Sequence, residues 1–280
     1  MIQFTLHRQQ LAHSPVTPLS PRHRRIQRAN ELSRQYPFAA EILGFYIHVA
    51  RFQEKLHARL SPAPQFAPSS LTGEISVATL SKLGSQFGPF LEMTEKRGPE
   101  QLSNISRELR GRGSEFFGNL LATAWTTPSP SDAPGFLAFA FLQPYAEWLR
   151  SRTQPDPVPH TYAICPFCNR KPVAGVLRQM GDGAARSLVC SFCANEWEFR
   201  RLVCPACGEE NDKRLSVFTA SDFDYIRIEC CDSCKTYVKT VDLTKNGHAD
   251  PLVDELASAP LDLWARDRGY AKLQLNLLGM

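Results

Sequence analysis

No stretch of this 280-residue chain approaches the roughly 20 consecutive apolar residues that span a bilayer. Its most apolar run, Phe136 to Leu142, is short and lies between Pro134 and Pro144, so no membrane insertion is expected. The N-terminal residues hold no apolar segment of signal-peptide type, which makes the cytoplasm the expected compartment and argues against structural disulfides. Catalytic signatures are missing as well. There is no Gly-x-Gly-x-x-Gly turn, no phosphate-cradling Gly-Lys-Ser/Thr loop, no Gly-x-Ser-x-Gly elbow and no His-Glu-x-x-His helix. The glycines at 111, 113 and 118 have another spacing and read as a connection between helices. His48 and His57, nine residues apart on one expected helix, face opposite sides and make no joint site. Catalytic residues converge from distant positions, but nothing here nominates one.

What the chain does have is cysteine in a pattern. Eight of its nine cysteines form four Cys-x-x-Cys pairs: Cys165/Cys168, Cys190/Cys193, Cys204/Cys207 and Cys231/Cys234. Two residues between ligands let a tight turn aim both sulfurs at one centre, and four thiolates surround one tetrahedral ion, so eight imply two metal ions. The gaps pair them: 21 residues separate Cys168 from Cys190 and 23 separate Cys207 from Cys231, but only 10 lie between Cys193 and Cys204. Each long gap suits a hairpin that brings its flanking turns together. The expected ligand sets are Cys165, Cys168, Cys190, Cys193 and Cys204, Cys207, Cys231, Cys234, with interleaved pairing as the alternative. Cys-Pro-Phe-Cys at 165–168 recurs as Cys-Pro-Ala-Cys at 204–207, an offset of 39, which reads as a repeated unit. A thioredoxin-like redox pair would be one Cys-x-x-Cys beside a βαβ pattern, unlike four pairs among short strands. Cys230 is the ninth sulfur; it reads as a spare strand-end cysteine, the other reading being a replacement for Cys231.

The residue after each knuckle needs a positive φ to turn backbone amides towards sulfur. Asn169 and Gly208 suit this, whereas Ala194 and Lys235 predict less regular knuckles. Strands are expected at Val173–Gln179 and Ala185–Cys190 around Gly181-Asp182-Gly183, at Leu215–Ala220 and Tyr225–Cys230 around Ser221 to Asp224, and third strands at Glu196–Val203 and Thr236–Asp242.

Residues 1–30, with Arg8, Arg22, Arg24, Arg25 and Arg28 and no acidic side chain, predict a basic flexible arm. Residues 31–155 predict a helical domain, in which Phe45, Val49, Phe52 and Leu56 form a buried stripe and further helices follow around 73–96, 99–125 and 135–151. Thr127 to Ser131 is a loop, and Pro155, Pro157 and Pro159 make a stiff linker. The metal ribbons then occupy 156–202 and 203–245. A C-terminal helical tail spans 246–280, with two helices broken at Pro260, a cap at Gly269 and a shared face of Leu261, Trp264 and Arg268. The fold class is α+β, with helices and strands segregated along the chain. Residues 161–245 carry 12 Lys/Arg against 11 Asp/Glu. Each divalent ion on four thiolates adds a charge of about −2, so the loaded region is acidic and unsuited to phosphate neutralisation. Protein recognition is the expected use, and nucleic acid is not an expected partner.

Several blocks resemble the formate dehydrogenase accessory protein FdhE family. They are Cys165-Pro166-Phe167-Cys168 with Pro172-Val173-Ala174-Gly175, then Cys190-Ser191-Phe192-Cys193-Ala194-Asn195-Glu196-Trp197, then Cys231-Asp232-Ser233-Cys234-Lys235-Thr236-Tyr237-Val238-Lys239. The tail Asp254 to Trp264, with Gly269-Tyr270 after it, resembles the family too. The resemblance is close over roughly 160–280 and general before it. It departs at Val253, where an acidic residue is expected, and at Cys230, where the family has no ligand. The resemblance implies two tandem rubredoxin-like or zinc-ribbon β modules and a cytoplasmic factor without turnover of its own. Such a factor binds the catalytic subunit of formate dehydrogenase during maturation, with the eight paired cysteines holding iron or zinc. A rubredoxin-like electron carrier or iron sensor, and a nucleic-acid-binding zinc-ribbon protein, are the alternative readings.

Overall fold

A computed structural model describes residues 20–60, 76–130, 132–153, 163–276 and 279. The proline linker and residues 1–19 of the expected arm lie outside these. Six helices come first: α1 (Pro21–Gln35), α2 (Ala40–Leu60), α3 (Val77–Arg97), α4 (Glu100–Arg110), α5 (Ser114–Thr126) and α6 (Ala133–Arg150). The strands are β1 (Pro172–Met180), β2 (Gly183–Cys190), β3 (Glu196–Glu198), β4 (Leu215–Ala220), β5 (Phe223–Cys231), β6 (Thr236–Asp242) and the short β7 (Ala271–Lys272). Between β6 and β7 come α7 (Pro251–Ala257) and α8 (Ala259–Asp267). The α+β class, with a helical region first and helices at the end, is what the structure has.

The expectation of a flexible arm fails at residues 21–30, which belong to α1. Ser20 caps the helix by accepting from the His23 N–H at 3.1 Å, and Pro21 pre-sets the first turn. The arginines turn inward because acidic partners from distant segments meet them. Arg22 and Arg25 share Glu147 of α6 at 2.8 and 3.0 Å. Arg28 forks onto Asp254 of α7 at 2.6 and 3.0 Å, and the Tyr225 hydroxyl donates to the same carboxylate. A local excess of basic charge thus becomes paired charge once the tail folds back.

In α2 the expected stripe holds. Phe45, Val49 and Leu56 are buried, and Phe52 packs beside them against Phe90 and Phe141. The 99–125 segment divides at Gly111-Arg112-Gly113, and Gly113, at φ +85°, starts α5 from a conformation that other residues avoid. Asp132 caps α6 by accepting from the Gly135 N–H at 2.8 Å. Pro144 lies inside α6, and the helix runs through it. No helix among the described residues is long and apolar enough to cross a membrane.

The two ribbons fuse into one seven-stranded sheet of order β3-β2-β1-β6-β5-β4, with β7 also against β6. Each ribbon is antiparallel, and they join by a parallel pairing of β1 with β6, Gly175 opposite Thr240 and Leu177 opposite Asp242. Gly175 makes this junction possible, since a Cβ there would overlap the Thr240 side chain. The expected third strand at Glu196–Val203 is short, ending at Glu198, because the chain leaves towards the second ribbon; the Phe199 N–H still donates to the Arg186 carbonyl. In the tail the helix break falls at Ser258, and Pro260 sits in the first turn of α8, where its missing N–H has no helical partner to lose. Gly269 takes a positive φ of 79° after α8, Trp264 packs on Phe218, and Arg268 lies over the Trp264 ring at 4.0 Å. Lys239 is wholly buried between Glu255 of α7 (3.0 Å) and Asp262 of α8 (2.6 Å), fastening the tail to the sheet.

Candidate metal centres

The four knuckles converge as two groups: Cys165, Cys168, Cys190 and Cys193, and Cys204, Cys207, Cys231 and Cys234, with all sulfurs of a group within 4.8 Å of one another. Interleaved pairing is thereby excluded. A tetrahedral ion about 2.3 Å from each sulfur requires sulfur–sulfur edges of roughly 3.8 Å. The observed edges are 3.5 Å for Cys165–Cys193, 3.3 and 3.7 Å from Cys168 to Cys190 and Cys193, and 3.7 Å for Cys204–Cys234 and Cys207–Cys231. Each cluster can hold one thiophilic ion, and the donor sets fit iron or zinc alike. Cys230 belongs to neither group; it is buried among Ile228, Tyr237 and Tyr270 of the second ribbon and tail.

Backbone geometry explains the convergence. In the first knuckle the Cys165 N–H donates to the Arg170 carbonyl and the Asn169 N–H to the Cys165 carbonyl, both at 2.9 Å; Cys204, Gly208 and Glu209 repeat this pattern with the same lengths. Amides also approach sulfur directly, Phe192 N–H to Cys190 Sγ at 3.3 Å and Ala206 N–H to Cys204 Sγ at 3.4 Å. The expectation of irregular knuckles at Ala194 and Lys235 is overturned. Those residues take φ of 52° and 55°, beside 56° at Asn169 and 78° at Gly208, so all four knuckles place the residue after the second cysteine in the left-handed region. Sulfur convergence outweighs the roughly 1–2 kcal/mol a side chain costs in that region.

Surroundings distinguish the two clusters. All four sulfur residues of the first are buried, and they share one core with Phe87, Trp125, Phe141 and Tyr145 of the helices. Gln143 of α6 donates to the Ser191 carbonyl at 2.9 Å, and Gln53 of α2 to Gln143 at 3.0 Å, so two helices grip this knuckle. In the second cluster Cys204 and Cys231 are buried, Cys234 is half-buried and Cys207 is exposed. Without an ion, close thiols share charge unequally. Hydrogen bonds from Cys165, Cys190 and Cys193 hold Cys168 far below the ordinary thiol range, while burial, then Cys165 and Cys168, push Cys190 up, and Cys165, Cys168 and Cys190, then burial, push Cys193 up. In the second cluster burial raises Cys204, whereas hydrogen bonds from Thr236 and Cys207 outweigh burial at Cys234 and bring it to about 7. Cys168 and Cys234 are thus biased towards thiolate, the form that binds metal.

Spacing alone did not reveal Arg170. It is buried, and its Nη2 lies 3.1, 2.6 and 3.1 Å from the carbonyl oxygens of Ala124, Trp125 and Thr127 at the end of α5. Its guanidinium covers the Phe192 ring at 3.9 Å. Only its place two residues after Cys168 hinted at a role.

The geometry defines a helical protein carrying paired four-cysteine ribbons, a class with two candidate metal centres in a fused sheet. Family models described as "FdhE, central domain" and "FdhE, C-terminal domain" match residues 164–201 and 202–278, one ribbon each, the second with the tail. A protein FdhE homolog of Aquifex aeolicus (strain VF5) is 27% identical over 265 residues, covering 91% of this chain and 94% of that protein. One from Shewanella baltica (strain OS185) is 26% identical, covering 94% and 90%. A crystal structure of the FdhE protein from Pseudomonas aeruginosa superposes with a TM-score of 0.67 at 24% identity, covering 92% of this chain and 95% of that one, so the fold is shared from helices to tail. The chain is thus similar to FdhE proteins through both ribbons and the tail, and it shares their fold.

Proposed function

We propose that this protein is an accessory factor for formate dehydrogenase, binding the catalytic subunit in the cytoplasm during maturation and turning over no substrate itself. The observation that carries the reading is the match of both ribbons to FdhE domains, each centred on a four-cysteine cluster of metal-binding geometry. Cys165, Cys168, Cys190 and Cys193 would hold one ion, and Cys204, Cys207, Cys231 and Cys234 the other. Bound iron or zinc supplies cross-linking of turns that a small β module stabilises poorly by burial alone. The chain's own residues supply the rest: the first cluster joins the sheet to the helices, and the second presents Cys207 at the surface beside the outer ribbon. The face offered to a partner is therefore the second ribbon.

The test is binding of purified formate dehydrogenase catalytic subunit to the metal-loaded protein and to a Cys204→Ser/Cys207→Ser variant. Retention by the wild type and at least tenfold weaker retention by the variant is the expected result. Equal retention removes the second ribbon from the contact, and no retention by the wild type rejects the partner. A visible spectrum of protein purified without oxygen separates the metals: ferric iron on four thiolates absorbs and bleaches on reduction, whereas zinc is colourless and does not change oxidation state.

A further inference from the structure

Among the described residues, Arg22 and Arg186 are buried with a carboxylate partner, and Arg170 is buried without one. Arg22 and Arg25 meet Glu147, Arg28 meets Asp254, and Arg186 meets Glu229. Arg170, only 3% exposed, has no ion pair with a carboxylate among the described residues. Its Nε also lacks a hydrogen-bond partner. A buried guanidinium needs compensating charge or its desolvation is uncompensated. Two sources stand beside it. One is the carbonyl end of α5, where the helix dipole is negative and three oxygens meet Nη2. The other is the first cluster. Arg170 follows Cys168 by two residues, its carbonyl accepts from the Cys165 N–H at 2.9 Å, and its guanidinium lies 3.9 Å over the ring of Phe192, which stands between Cys190 and Cys193.

We propose that Arg170 is the positioning residue linking the first metal centre to the helical body, its charge balanced on one side by the metal-bound thiolates and on the other by the end of α5. A divalent ion with four thiolates carries about −2, so loading the site supplies the anion that the buried arginine lacks. Without the ion, Arg170 keeps the α5 carbonyls and the Phe192 face alone. The arrangement matches a general pattern in which groups around the ligands tune metal affinity by about 10–100-fold. Because linkage is reciprocal, whatever docks α5 on the ribbon also tightens the first site. Beside the second cluster the buried Arg186 donates to the Val203 carbonyl at 3.2 Å but has Glu229 as its carboxylate, and Lys235 is exposed and paired with Asp232 at 2.7 Å.

The role rests on the ligand assignment proposed above, and the experiment separates the two. Full-length protein is loaded with ¹¹³Cd, its two sites are followed as separate resonances during chelator competition, and α5 amide exchange is measured on the loaded protein. In Arg170→Met the first site is expected to weaken 10–100-fold with the second unchanged, and the last turn of α5 to exchange faster. Arg170→Lys, which keeps the charge and loses the fork, should recover first-site affinity to within about tenfold of wild type while α5 stays less protected. Equal first-site affinity in wild type and Met variant overturns the role. Should the Met variant not fold, a Lys variant that loses the first site as completely as a cysteine substitution overturns it too. No cadmium at the first site of the wild type would instead reject the ligand assignment.

Discussion

The two clusters are built from the same turn and sit in opposite environments. Both use knuckles with a positive φ after the second cysteine, and their sulfur edges are 3.3–3.7 Å in the first and 3.7 Å in the second. Yet the first is sealed in the helical core under Arg170, Phe192 and Trp125, whereas the second leaves Cys207 open to solvent. Identical local chemistry therefore serves different ends. The first cluster is a strut inside the body, and the second is a brace at the surface.

The largest expected effect separates strut from brace. Structural zinc sites contribute apparent free energies of about 10–16 kcal/mol, as much as a whole domain's net stability. Cys165→Ser/Cys168→Ser should therefore unfold much of the helical body, while Cys204→Ser/Cys207→Ser keeps it; far-ultraviolet circular dichroism melts decide, and equal melts would erase the distinction. Next, a chelator added to fully loaded protein should empty the second site at least tenfold faster than the first, read by a metal-binding dye in wild type and the two pair variants. Simultaneous release at one rate would mean that burial does not govern exchange.

A third expectation sharpens the role of the buried core around the first site. Glu147→Gln leaves Arg22 and Arg25 buried without their shared anion, at about 3–5 kcal/mol, against less than about 1 kcal/mol for Glu196→Gln in the exposed bridge to Arg178. Urea unfolding measures both. Burial raises the Glu147 carboxyl, but Arg22 and Arg25 outweigh it and hold the group below its ordinary value. Its folded value being depressed, the stability it contributes is present above the unfolded carboxylate value of about 4.3 and is lost as pH falls through the folded one. Wild type should lose that stability only on acidification below about pH 4, and Glu147→Gln should remove this part of the slope. The smallest effect lies in the turns. Ala194→Gly and Lys235→Gly relieve the left-handed strain and should stabilise by about 0.5–1 kcal/mol each, after the entropy glycine loses on folding. Destabilisation would mean that the side chains make compensating contacts.

Cysteine spacing anticipated the two four-cysteine groups because short knuckles and a hairpin-length gap leave two pairs little choice of partner. The strands at 215–220 and 236–242 were legible for a similar reason: turn residues bound them closely. What the sequence could not carry was long-range. Arg22, Arg25 and Arg28 look like a solvated basic stretch until Glu147 and Asp254, more than a hundred residues away, come to meet them. The fusion of the ribbons through Gly175 and Thr240 has no local signature, since a parallel pairing three residues long leaves no turn to read. Ala194 and Lys235 misled because propensity is a local preference, and here the clustering of sulfurs overrides it.

The central claim is that each sulfur cluster holds one ion. Metal-to-protein stoichiometry on anaerobically purified protein tests it most directly. Two ions per chain in the wild type and one in Cys204→Ser/Cys207→Ser is the predicted result. A wild type with fewer than two ions, after exposure to both iron and zinc, would contradict it.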